Sequence, residues 1–114
     1  MKASHCGSCH CGRVKFEFAA AIDGAVSCNC SICSRRGAVL FAAPADSFKL
    51  LTSIDETSIY TFNTHAINHR FCKTCGVQPY SEHADSRSVY MNLRCVEAVD
   101  LASVSIMAFD GRSL

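Results

Sequence analysis

The chain has 114 residues, 49% of them hydrophobic, and its 11 Lys and Arg nearly balance 10 Asp and Glu, for a formal charge of +1. Apart from Arg35-Arg36 the basic residues are scattered, which argues against a nucleic-acid partner, and no apolar run approaches the roughly 20 residues that span a bilayer. The opening Met1-Lys2-Ala3-Ser4-His5-Cys6 lacks the apolar stretch of a secretory signal, so the sequence reads as a soluble, cytoplasmic protein with one domain over residues 1–114.

Taken in order, His5 to Cys11 is read as a loop carrying Cys6, Cys9 and Cys11. Arg13 to Phe18 then alternates polar and apolar, which predicts a half-buried strand with Val14, Phe16 and Phe18 inward. Ile22-Asp23-Gly24 predicts a turn, and Ala25-Val26-Ser27 a short strand leading into Cys28-Asn29-Cys30-Ser31-Ile32-Cys33, read as one tight turn closed by Ser34-Arg35-Arg36-Gly37. Ala38 to Ala43 reads as a buried strand ended by Pro44. Ser47–Thr52 and Ser58–Phe62 read as two strands of a hairpin, and Ala66–Phe71 as the strand that delivers Cys72. Ser88–Cys95 is predicted as a late strand, Asp100–Val104 as a short helical turn capped by Asp100, and Asp110-Gly111 as a turn. The sum is a mainly β chain.

Nine cysteines dominate the chemistry. In a reducing compartment they do not form a disulfide framework, and an odd number cannot all pair within one chain, so metal ligation is the expected use. Cys9-His10-Cys11-Gly12 and Cys72-Lys73-Thr74-Cys75-Gly76 each place a glycine after two thiols. Together they offer four thiolates for a closed, structural site, either zinc or an iron–sulfur centre. Cys6 is left as a spare thiol, and His5 and His10 are not expected to be ligands.

Cys28, Cys30 and Cys33 put three thiols within six residues without a fourth beside them. Three readings stay open: a catalytic zinc with a vacant position, a four-ligand site completed by a distant residue such as His69 or Cys95, or free reactive thiols. Three thiolates on a divalent ion leave a negative site, better suited to holding a thiol than to activating water. Arg35 and Arg36, just beyond the last ligand, are placed to catch a carboxylate of an anionic thiol. His69 is expected to be a supporting or surface residue. No Ser/His/Asp arrangement, phosphate-cradling glycine loop or HExxH motif is present to support hydrolysis or phosphoryl transfer.

The run Gly7-Ser8-Cys9-His10-Cys11-Gly12-Arg13-Val14-Lys15-Phe16, the cysteine turn at 28–33, and His69-Arg70-Phe71-Cys72-Lys73-Thr74-Cys75-Gly76-Val77-Gln78-Pro79-Tyr80 follow one another in an order that is specific. With Asn92-Leu93-Arg94-Cys95 and Phe109-Asp110-Gly111-Arg112, the sequence resembles the glutathione-dependent formaldehyde-activating enzymes, a family that also includes the centromere protein V proteins. The resemblance implies a β-tent fold of coiled antiparallel sheets, similar to methionine sulfoxide reductase B and to a Rab exchange factor. It implies two zinc ions: a structural one on Cys9, Cys11, Cys72 and Cys75 and a catalytic one on Cys28, Cys30 and Cys33. It implies addition of glutathione to formaldehyde, giving S-hydroxymethylglutathione, formally the reverse of a carbon–sulfur lyase step. The alternative from another class is a zinc-stabilised binding module without catalysis.

Overall fold

Side-chain alternation along β-strands decides this architecture. The structure, a computed structural model, describes residues 4–62 and 64–111. Residues 1–3, read above for a signal, and Arg112 of the C-terminal motif lie outside them. Strands β1 (Ser4–Ser8), β2 (Lys15–Ala19) and β5 (Phe48–Leu50) form a three-stranded sheet in the order β1-β2-β5. Strands β3 (Ala25–Cys28), β4 (Leu40–Pro44), β6 (Thr57–Tyr60), β7 (Ile67–Cys72), β8 (Tyr80–His83), β9 (Ser88–Asn92) and β10 (Ile106–Phe109) form a seven-stranded sheet, ordered β10-β3-β4-β9-β8-β7-β6. The mainly β expectation holds, and the pairing is antiparallel except where β10 runs parallel to β3.

The core lies between the two sheets. Phe16 and Phe18 of β2 are fully buried, as their alternation predicts, with Val14 just before them. Phe16 meets Tyr80 at 6.1 Å between ring centroids, Phe48 meets Tyr80 at 4.8 Å, and Phe18 meets Phe41 at 5.9 Å. Such rings contribute both apolar area and favourable tilted geometry, and truncating Phe16 to Ala would cost about 3–5 kcal/mol.

On β4, Phe41 and Ala43 are buried in this core, which puts Leu40 and Ala42 on the opposite face of the sheet. The same division runs through β9, where Val89 and Met91 are buried and Tyr90 faces away from them, and through Tyr80 and Ser81 of β8. The far face of the large sheet is therefore furnished with side chains of its own, and the functional groups lie there.

Three readings need correction. The segments around β5 and β6 are not a hairpin: β5 pairs with β2 and β6 with β7. A 3-10 turn at Ile54–Glu56, capped by Ser53 Oγ accepting from the Asp55 amide at 3.2 Å, carries the chain from one sheet to the other. His5 belongs to β1 rather than a loop; its ring stacks on Phe18 at 5.1 Å and its Nε2 lies 3.1 Å from the Ala20 carbonyl. The cysteine turn runs into a helix, α1 (Ser31–Arg36), which ends at Gly37 with φ +65°. The helical turn capped by Asp100 is present, its carboxylate accepting from the Ala102 amide at 3.0 Å. Among the described residues no helix is long and apolar enough to cross a membrane.

Candidate metal centres and the cavity beside them

The first cluster joins two distant turns of like construction. Cys9 and Cys11 lie in the β1–β2 connection, and Cys72 ends β7 with Cys75 in the turn that follows. Each turn closes on itself, Cys9 N–H donating to Val14 O at 3.0 Å and Gly76 N–H to Cys72 O at 2.8 Å, and Gly12 and Gly76 both take φ of +82°. The four sulfurs lie within 4.8 Å of one another. Cys9 Sγ is 3.7 Å from Cys11 Sγ, and Cys11 Sγ is 3.6 Å from Cys72 Sγ. A zinc tetrahedron with bonds of about 2.3 Å has edges of about 3.8 Å, so the donor set fits that ion.

The backbone supports negative sulfur at this cluster. Val14 N–H donates to Cys9 Sγ at 3.3 Å, and the Thr74 and Cys75 amides donate to Cys72 Sγ at 3.4 Å each. Burial pushes the Cys9 thiol up to about 11. Burial also opposes ionisation of Cys75, but amide donors led by Val77 outweigh it and hold that thiol at about 6. A cation centred among the sulfurs resolves this conflict by favouring thiolate on all four. Cys95, one of the distant ligands considered for the three-cysteine group, is on this side of the molecule instead. Burial, then the nearby Cys9 and Cys75, push its thiol up to about 11, and its Sγ lies 3.8 Å from the Gln78 carbonyl.

The second cluster is Cys28, Cys30 and Cys33, whose sulfurs also lie within 4.8 Å of one another. Among the described residues no other His, Cys, Asp or Glu completes that group. Cys28 ends β3, Cys30 caps α1 and Cys33 lies within it, so the junction of strand and helix brings the three together. The Cys30 amide donates to Cys28 Sγ at 3.4 Å, and burial followed by the neighbouring cysteines pushes the Cys33 thiol up to about 12. Here too the donor set fits zinc.

The last strand clamps this junction, a feature absent from the sequence reading. Phe109 of β10 stands beside Cys28, the Asn29 amide donates to the Phe109 carbonyl at 3.2 Å, and Asn29 Nδ2 donates to Asp110 Oδ1 at 2.9 Å. Gly111 then lies so close that an added Cβ would come 2.5 Å from Cys28 Sγ and 3.2 Å from Cys30 Cβ.

The three cysteines open on a cavity of about 470 Å³. Its floor is the far face of the large sheet, including Val26, Leu40, Ala42, Tyr90 and Ile67, and α1 contributes Ile32, Cys33 and Arg36. Cross-strand register sets the polar corner: Tyr90 pairs with Ser81, and Ser81 pairs with His69. Gln78 Nε2 donates to Ser81 Oγ, and Ser81 Oγ lies 3.4 Å from His69 Nδ1. Having accepted from Gln78, the hydroxyl has its own proton to give to Nδ1, an arrangement that leaves the proton of the neutral His69 ring on Nε2. Phe62 stacks on the ring at 5.5 Å. Burial, then Arg36, lowers the His69 pKa. His69 is thus a buried cavity residue rather than a surface one, which no local sequence signal distinguished.

The two arginines part company. Arg35 is exposed and its Nη1 donates to the Ser31 carbonyl at 2.8 Å, whereas Arg36 lines the cavity with its Nη1 buried and without a hydrogen-bond partner among the described residues. Burial lowers the Arg36 pKa, partly offset by Cys33. On the outer side of α1 a more open groove of about 500 Å³ is lined by Ser31, Ile32, Arg35, Arg36, Tyr60 and Phe62.

Residues 4–104 match the family model described as glutathione-dependent formaldehyde-activating enzyme. The chain belongs to that family. A crystal structure of a Rhodobacter sphaeroides protein, a Northeast Structural Genomics target, is similar to it with a TM-score of 0.77 and 28% identity. That alignment covers 90% of this chain and 99% of the other. In the present chain, both cysteine clusters are compatible with metal.

Proposed function

We propose that the chain is a zinc enzyme that joins glutathione, or a related thiol, to formaldehyde or a related aldehyde, giving S-hydroxymethylglutathione or the corresponding adduct. In this reading Cys9, Cys11, Cys72 and Cys75 hold a structural ion, and Cys28, Cys30 and Cys33 hold a catalytic one. The observation that carries it is the three-cysteine cluster opening directly on a cavity that also holds a polar corner. When bound there, zinc would ease loss of the proton from an arriving thiol.

The protein's own groups do the rest. Arg35 and Arg36 beside the outer groove attract the carboxylates of an anionic thiol, and forked guanidinium geometry suits them to it. The apolar walls keep water from the reacting carbonyl. His69, presenting Nε2–H, hydrogen-bonds a carbonyl oxygen and stabilises the charge that develops on it. In the balanced step a sulfur lone pair forms the carbon–sulfur bond and the carbonyl π pair moves to oxygen. The oxygen takes up the proton that sulfur gave, so no oxidant or reductant is needed.

The test must overcome the spontaneous reaction of thiols with formaldehyde. Exchange spectroscopy at equilibrium, comparing wild type with Cys30→Ser at equal concentration, should find faster formation and breakdown of the adduct with the wild type alone. Exchange equal to background for both proteins would overturn the catalytic reading.

A further inference from the structure

An antiparallel sheet ordinarily buries one face and turns polar residues outward on the other. Here the face opposite the core is apolar: Leu40 and Ala42 alternate with the buried Phe41 and Ala43, yet they look into a cavity of about 470 Å³. Formaldehyde, with two heavy atoms, would fill only about 60 Å³ of it, taking ~30 Å³ as the share of one water molecule. A volume of this size is in the range of sites for much larger organic ligands.

Charge divides the two recesses around α1. Glutathione carries carboxylates and amides, whose burial against Val26, Leu40 and Ile67 would leave them without partners. The outer groove, with Ser31, Arg35 and Arg36, suits such a molecule. Besides the cysteine thiols and Tyr90, the inner cavity offers few polar groups: the His69–Ser81–Gln78 corner and the buried, unpartnered Arg36 Nη1, a donor in want of an acceptor oxygen.

Building on the thiol-addition reading, we propose that the inner cavity takes an apolar carbonyl compound, an aldehyde with a hydrocarbon body of several carbons, as the thiol's partner. Its oxygen meets the Arg36 and His69 donors, and its body lies along Leu40, Ala42 and Ile67. The product is a hemithioacetal containing every atom of both reactants.

Hexanamide and formamide test this without chemistry, since they share a carbonyl oxygen, differ in hydrocarbon body, and do not add thiols. By ligand-observed NMR, the zinc-loaded protein should bind hexanamide about tenfold or more tighter than formamide. Ala42→Trp, at an exposed position that lines the cavity, should abolish that advantage, and Ile67→Trp is a second blocker should the first fail to fold. Equal binding of the two amides by the wild type, or hexanamide binding untouched in a folded Trp variant, overturns the proposal. Exchange of glutathione with formaldehyde is followed in parallel. Hexanamide binding without catalysed exchange would sink the catalytic reading and uphold the cavity's ligand class, whereas catalysed exchange without the amide preference would sink only the cavity proposal.

Discussion

His69 on β7 and Ser81 on β8 stand directly opposite each other, with Nδ1 3.4 Å from Oγ, and both line the cavity on which the three cysteines open. This pairing ties the ring to the sheet and, with the Ser81 hydroxyl donating to Nδ1, leaves the ring proton on Nε2. His69→Gln should slow catalysed exchange by about 10²-fold, the lower end of what losing a donor to the developing oxyanion costs. Zinc content should stay unchanged by metal analysis. Ser81→Ala should give a smaller loss and alter the pH profile, because it frees the tautomer.

The same histidine makes stability depend on pH. Its folded pKa is lowered by burial and Arg36, so between that value and the ordinary 6.5 the unfolded chain binds more protons than the folded one. Its contribution is therefore fully present above pH 6.5 and declines as pH falls toward the folded pKa. Denaturant titrations of zinc-loaded wild type and His69→Gln should diverge in that window, with the variant showing the flatter profile; parallel profiles would contradict the assignment.

The two clusters should differ in what their loss does. On the proposed assignment Cys72→Ser removes one of four thiolates joining two distant turns, and binding a structural zinc is itself folding free energy, so the variant should lose an ion and unfold or aggregate. Cys30→Ser should keep the fold and one ion. Circular dichroism with metal analysis checks both, and equal loss of structure in the two would remove the division between structural and catalytic sites.

Gly111 offers a gentler probe of the second cluster. A Cβ there would press on Cys28 Sγ at 2.5 Å. Gly111→Ala should lower zinc affinity at Cys28, Cys30 and Cys33 while leaving circular dichroism and the first ion unchanged. Competitive chelator titration reads this directly, as one weakened ion out of two.

Arg35 and Arg36 should separate. Exposed charge pairs contribute about 0.2–1 kcal/mol, so Arg35→Ala should weaken glutathione binding by no more than about fivefold in calorimetry. Arg36→Ala, removing a partly buried cation that lines both recesses, should cost more. The double variant should retain its zinc, and unaltered affinity would remove both residues from thiol binding.

The sequence by itself marked the cysteine groups, because ligand spacing in a turn is local: Cys9 with Cys11, Cys72 with Cys75, and Cys28 with Cys30 and Cys33 need only a few residues to be read. The alternation of Val14, Phe16 and Phe18 and the Asp100 cap were legible for the same reason. Tertiary structure decided what depends on partners far away in the chain. β5 and β6 look like a hairpin locally, but each finds its strand in a different sheet. β10 carries Ile106, Met107 and Phe109, all exposed, so burial gave no signal of its place beside β3. Arg35 and Arg36 are adjacent in sequence, yet the helix puts one in solvent and the other against the cavity. The His69–Ser81–Gln78 corner exists only through β7–β8 register. Hydrogen bonds between strands fix that register, and no single stretch of chain contains both sides of it.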